Sequence, residues 1–187
     1  MEQSNNTNLR FLSVTTLNIL ITFFELVGGL LSGSLSLISD AFHNFSDTFS
    51  IVLSYFANAI GHKKATPKNS YGYRRAEILT ALLNSIILVL ISLFLLFEGI
   101  NRIQHPEAVK GAIMFWVAVV SFIANLGAAL LLHGGANNNL NIKATYLHLL
   151  SDSLASIGVI IGSIFIYFFN LTWIDPVITI IVSLYIA

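Results

Sequence analysis

Five stretches of the chain are apolar for long distances, at roughly 11–31, 35–60, 76–103, 111–133 and 144–169. A sixth begins near Leu171 and runs to Ala187. Each of the five reaches the roughly 20 residues that an α-helix needs to cross a hydrocarbon core. The short alternating segments of a membrane barrel are absent, so the pattern predicts an all-α membrane protein, a bundle of six transmembrane helices. The sixth segment spans only about 25 Å as a helix, against a core about 30 Å thick, and is expected to be truncated or to end at the chain end. Polar turns separate the segments: Ser32-Gly33-Ser34, "QHPEAV" at 104–109, and the glycine-started loop "HGGANNNLN" at 133–141. The first ten residues read as a polar tail, and residues 11–187 as one transmembrane domain. The start of the chain lacks the basic region and short apolar core of a signal peptide.

The polar positions inside the apolar runs are not scattered. On the second segment Ser36, Asp40, His43, Asp47, Ser50 and Ser54 follow one another at steps of four and three. At 100° per residue they share one narrow face. The fifth segment repeats the device with Thr145, His148, Asp152, Ser156 and Ser163. The first does so more weakly with Asn18, Thr22, Glu25 and Gly29, and the fourth offers Ser121 and Asn125. A polar stripe in a membrane helix turns toward a protein interior or a water path. Segments one, two, four and five are therefore expected to surround a polar core. Three and six, where Asn84 is the main mid-membrane polar group, are expected to form an outer pair.

Composition supports the membrane reading. Of 187 residues 56% are hydrophobic and 10% charged, against about 25% charged in soluble domains. Formal net charge is zero, so nothing favours a nucleic-acid partner. There is no cysteine, which excludes disulfides and thiolate ligands. Seven of the nine Lys and Arg residues (Arg10, Lys63, Lys64, Lys68, Arg74, Arg75 and Lys143) fall before segment one or in the 2–3 and 4–5 connections. Only Arg102 and Lys110 fall on the other side. The positive-inside rule then puts both termini in the cytoplasm. The basic run 63–75 also suits anionic headgroups, and Glu77 is placed to pair with Arg74 or Arg75.

Two copies of His-x-x-Ser-Asp, "HNFSD" at 43–47 and "HLLSD" at 148–152, stand on different segments. Residues four apart on a helix face the same way, about 6 Å apart. Each helix can thus offer one imidazole nitrogen and one carboxylate oxygen to one point. His43, Asp47, His148 and Asp152 together give two nitrogens and two oxygens, a sulfur-free tetrahedral set that suits zinc. Two aspartates also balance a divalent charge in a medium where a lone charge is costly. A single such pair would more often be a hydrogen-bonded structural group or a proton relay; the second copy favours the metal.

At these residues the sequence resembles the cation diffusion facilitators, zinc exporters of the proton-antiport type. The resemblance runs from about Phe11 to the end of the chain and is carried by "ELVGGLLSGSLSLISDAFHNFSD", "YGYRRAEILTALLN", "FEGINRIQHPE" and "HLLSDSLASIGVIIG". It implies a transport site on helices two and five, at positions matching His43, Asp47, His148 and Asp152. A histidine at the first of these goes with zinc preference. It implies zinc as transported substrate rather than cofactor, protons as counter-ion, a lipid bilayer as surroundings and a homodimer, whose contact is expected on helices three and six. The family's cytoplasmic domain after helix six is not in this chain, and the histidine-poor 4–5 loop looks bacterial, which places the protein in an inner membrane.

Glu25 and Asp40 fall in the outer halves of their helices, Asp40 two turns from Asp47, and are expected to line an acidic outer vestibule or to be hydrogen-bonded structural groups. Asn18, Ser50, Asn125 and Ser156 are expected to help build the polar core. His62, His105 and His133 read as surface histidines. Trp116, Trp173, Tyr71 and Tyr73 suit the interfacial belts. Two other functions are open: a proton-coupled transporter of another divalent cation (Cd, Co, Fe or Mn), with the stripes as relays, and a membrane metalloenzyme. The second is disfavoured because four protein ligands close the site that catalysis needs open.

Overall fold

A computed structural model describes the backbone of residues 2–61, 75–136 and 140–186, and the side chains of 13–50, 78–134 and 142–184. Among the described residues there are six α-helices: α1 (Glu2–Ser32), α2 (Leu35–Gly61), α3 (Arg75–Gln104), α4 (Gly111–Ala136), α5 (Leu140–Phe169) and α6 (Ile174–Ile186). No strand occurs among the described residues. Among the described residues, four helical stretches, Ser13–Ser32, Ile78–Gln104, Gly111–Gly134 and Ile142–Phe169, are long and apolar enough to cross a membrane. α2 is as long but carries the polar stripe, and α6 contributes a shorter apolar stretch, Ile174–Leu184. The sequence expectations on Ser54, His62, the basic run 63–75, Tyr71, Tyr73 and Glu77 lie outside the described side chains.

The helices overrun the apolar segments. α1 already begins at Glu2, so the helix runs through residues 2–10 ahead of the apolar stretch that starts at Ser13. Only 137–139 separate α4 from α5, where a nine-residue loop was expected. A helix satisfies its own backbone groups, so it has no reason to stop where its side chains turn polar. His133, expected to open that loop, is an exposed residue of α4 whose ring lies 5.4 Å from that of Tyr146.

The outer surface is apolar, as a lipid-facing surface must be. Phe23, Leu30, Ile78, Phe97, Trp116 and Phe168 all stand largely exposed. Inside, Leu37, Met114, Val117, Ala118, Val159 and Ile166 form one buried cluster; Val14, Ala128, Ala129, Leu132 and Leu149 form another. Helices approach closely where one lacks a side chain. A Cβ on Gly111 would lie 2.8 Å from the Tyr167 backbone nitrogen and 2.9 Å from the Ser163 carbonyl oxygen, so only glycine lets α4 start against α5.

The end of the bundle that holds the 33–34, 105–110 and 170–173 connections is tightly stitched. Gly33 adopts φ 74°, the left-handed turn expected of Ser32-Gly33-Ser34. Arg102 binds three elements there: Glu98 at 3.1 Å, the Gly33 carbonyl at 2.8 Å and Glu107 at 3.0 Å. The Lys110 amide donates to the Ser32 carbonyl at 2.8 Å. α5 closes with Asn170 at φ 54°, a residue that tolerates the left-handed cap.

α6 departs from expectation. It packs against α3, but also against α2 and α5. Asp175, Thr179 and Ser183 on one of its faces are fully buried or nearly so. Asp175 accepts hydrogen bonds from Ser34 Oγ (2.6 Å), Leu35 N (2.7 Å), Ser36 Oγ (2.7 Å) and Ser36 N (3.2 Å). It thus caps the N-terminus of α2, where free amides and the positive end of the helix dipole favour an anion. α6 pairs with α3, as expected, with Ser92 Oγ donating to the Ser183 carbonyl, and is in addition a structural partner of the polar helix.

Candidate metal centre between α2 and α5

Helix periodicity sets His43 and Asp47 one turn apart on α2, and His148 and Asp152 one turn apart on α5. Their side chains meet. His148 Nε2 lies 2.9 Å from Asp47 Oδ2, His43 Nε2 lies 3.5 Å from the same oxygen, and the two imidazoles pack edge to face at 5.6 Å. The ligand atoms of His43, Asp47 and His148 all fall within 4.8 Å of one another. Asp152 borders this trio without joining it; its Oδ2 lies 3.6 Å from His148 Nε2.

These groups do not satisfy one another. The His148–Asp47 approach is short but out of hydrogen-bond alignment, and both atoms are buried. Asp152 Oδ2 and His43 Nδ1 are buried without a hydrogen bond as well. Buried polar atoms in folded proteins nearly always find a partner. Asp47 Oδ2, His148 Nε2 and Asp152 Oδ2, close together and without aligned hydrogen bonds, leave lone pairs open to a common guest. Two neutral nitrogens and two carboxylates would hold a divalent ion with balanced charge.

The centre lies between two cavities. One, of about 430 Å³, is lined by Glu25, Asp40, His43, Asn44, Asn125 and Asp152 among others. The second, about 320 Å³, is lined by Asn18, Asp47, Ser50 and His148 among others. No residue lines both. The four candidate ligands thus split, two to each side.

The polar residues expected to help divide by what they touch. Ser50 and Ser156 donate to carbonyls of their own helices, at Ser46 and Asp152, both at 2.9 Å. Their hydroxyls are therefore spent on backbone. Asn18 Oδ1 and Asn125 Oδ1 are buried without partners. Glu25 is almost fully buried and accepts from Asn44 Nδ2 at 2.9 Å and from Ser121 Oγ. Asp40 lines the same cavity as Glu25, with no hydrogen bond among the described residues. Ser36, grouped with the stripe by spacing, instead belongs to the Asp175 cap.

Two contributors were not singled out from sequence. Asn44 follows His43 directly and so sits 100° off the stripe; that rotation aims it at α1. Asp175 lies in "WIDP", an acid just before a proline at a helix start. Its position fits the acidic first turn of α6, but its partner is the end of another helix, which local sequence does not reveal.

Fold and site together define a multi-pass integral membrane protein with a buried nitrogen-and-oxygen centre. The family profile of the cation efflux transmembrane domain matches residues 12–187, and the chain belongs to that family. Curated relatives agree. A "Cadmium, cobalt and zinc/H(+)-K(+) antiporter" of Bacillus velezensis is 41% identical over 162 residues, 86% of this chain and 52% of the relative. The "Metal cation efflux system protein CzcD" of Cupriavidus metallidurans is 38% identical, over 87% of this chain and 51% of the relative. The "Zinc transporter ZitB" of Escherichia coli is 39% identical, over 86% and 51%. The chain spans about half the length of these relatives.

Proposed function

We propose that this chain carries the transport pathway of a bacterial inner-membrane exporter that moves zinc out of the cytoplasm in exchange for protons. His43, Asp47, His148 and Asp152 hold the ion between α2 and α5. The observation that carries this reading is the convergence of His43, Asp47 and His148 within 4.8 Å, between two cavities that share no lining residue. An ion held there is a barrier between the two spaces and can be handed from one to the other. Asp152 completes the set by a side-chain movement from 3.6 Å off His148.

The order of events follows from the ligands. A site open to the cytoplasm takes up zinc on neutral imidazoles and ionised carboxylates. The helices rock and the opposite cavity opens. Protons compete for His43 and His148, because a protonated imidazole cannot bind metal. The ion leaves and the protonated site returns. Glu25 and Asp40 form the acidic vestibule on the exit side. The relatives named above, described by their names as zinc, cadmium and cobalt transporters, support a divalent cargo.

Reconstituted vesicles with an acid lumen test the cycle: zinc uptake should accompany loss of lumenal protons. Uptake indifferent to the pH gradient would end the antiport reading. Anomalous scattering at the zinc edge tests the site, and density away from α2 and α5 would move it elsewhere.

A further inference from the structure

A groove of about 360 Å³ lies between α1 and α4, and apolar residues alone line it. Gly28 and Val117 form its floor. A Cβ on Gly28 would lie 2.5 Å from Val117 Cγ2, so the bare glycine sets how close the two helices come. Leu31, Ala112 and Trp116 stand at its sides, all exposed. From Leu31 to Phe24 the groove follows α1 for about 10 Å. One end of it is polar and positive. Lys110, directly before α4, donates its amide to the carbonyl of Ser32, the residue after Leu31, at 2.8 Å. The Lys110 side chain is exposed and makes no ion pair among the described residues; the neighbouring Glu107 is held by Arg102 at 3.0 Å. The amides of Ala112 and Ile113, in the first turn of α4, have no hydrogen bond among the described residues. They add the partial positive charge of a helix start to that of the lysine.

We infer that this groove binds one anionic phospholipid of the surrounding bilayer, with an acyl chain between α1 and α4 and the headgroup phosphate at Lys110. The combination of an apolar trough with a cation at its end selects the occupant. A helix of a second copy would fill the trough and leave the lysine unanswered. Free phosphate would answer the lysine and leave the trough empty. A zwitterionic lipid would bring an ammonium group beside Lys110, where a net negative headgroup brings none. An anionic headgroup also gains from a lysine at the membrane surface. The bound lipid bridges α1 and α4 over their contact at Gly28. The site stands apart from the zinc reading, since it shares no residue with the proposed ligands or with the two cavities beside them.

Trp116 lines the groove, and the only other tryptophan is Trp173, so fluorescence of a Trp173→Phe chain reports on the site. That chain is reconstituted in phosphatidylcholine vesicles with a rising fraction of acyl-brominated phosphatidylglycerol or acyl-brominated phosphatidylcholine, and quenching of Trp116 is followed. Half-maximal quenching is expected at about fivefold less of the brominated phosphatidylglycerol, the effect of one lysine near a membrane surface. Lys110→Gln, a change at an exposed side chain, should remove that preference. Ala112→Phe, which fills the groove from an exposed position, should bring phosphatidylglycerol down to the level of phosphatidylcholine. Equal quenching by the two lipids with Lys110 in place overturns the site, and so does a preference that survives Lys110→Gln. Quenching that disappears as the protein-to-lipid ratio rises would mean that a second copy covers the groove, and would overturn the lipid assignment.

Discussion

Two aspartates near α2 have opposite surroundings. Asp175 reaches from α6 to the start of α2 and accepts four hydrogen bonds, with no exposure at all. Asp47, farther along α2, has two imidazole nitrogens close by, an oxygen without an aligned partner, and a side chain 27% exposed. A carboxylate whose lone pairs are filled by its own protein is a fastener. One whose lone pairs are left open, at the edge of a cavity, is available to a guest. Burial and the hydrogen-bond inventory both separate the two cases, and the inventory says why: one carboxylate's lone pairs are filled and the other's are not.

That contrast can be broken by substitution. The largest effect is expected at the fastener: Asp175→Ala leaves two serine hydroxyls and two backbone amides without their acceptor and should destabilise the chain by about 2–4 kcal/mol, read from unfolding in detergent. Asp175→Asn, which keeps an acceptor, should recover part of this. Asp47→Ala is expected to do the reverse, weakening zinc binding about 100-fold or more by calorimetry while leaving the metal-free unfolding midpoint unchanged or raised, because the carboxylate it removes has an oxygen with no aligned hydrogen bond. A metal-free midpoint that falls as far as that of Asp175→Ala would erase the distinction.

Smaller changes sharpen it. Zinc affinity should fall as pH drops, because a protonated imidazole cannot bind metal. His148→Ala should flatten that slope by about one histidine's share; an unaltered slope would remove His148 from the proton competition. The smallest effect is expected from Ser50→Ala and Ser156→Ala, whose hydroxyls serve their own helices. Zinc affinity within about twofold of the unaltered chain is the expected result, and a larger loss would bring those hydroxyls into the site.

The sequence was informative where chemistry repeats at a helical period. His43 and Asp47, like His148 and Asp152, share a face because four residues make about one turn, and that regularity survives folding. The six helices were legible for the same reason, as unbroken apolar lengths. What local pattern could not carry was pairing at a distance. Asp175 meets Ser34 across 141 positions of chain, and nothing near either residue names the other. Asn44 was hidden because it leaves the stripe by one residue. The ends of α1, α4 and α5 were misjudged because hydropathy reports where the membrane ends, while hydrogen bonding decides where a helix ends.

The cap on α2 also sets a lever. Ser36, held to α6, and Asp47 lie eleven residues apart, about 17 Å along the helix axis. A tilt of about 10° around that pinned end would carry Asp47 some 3 Å sideways, more than the roughly 2 Å length of a zinc–oxygen bond. A modest swing about a fixed point is thus enough to break one ligand's grip on an ion, with the pinned end itself scarcely displaced.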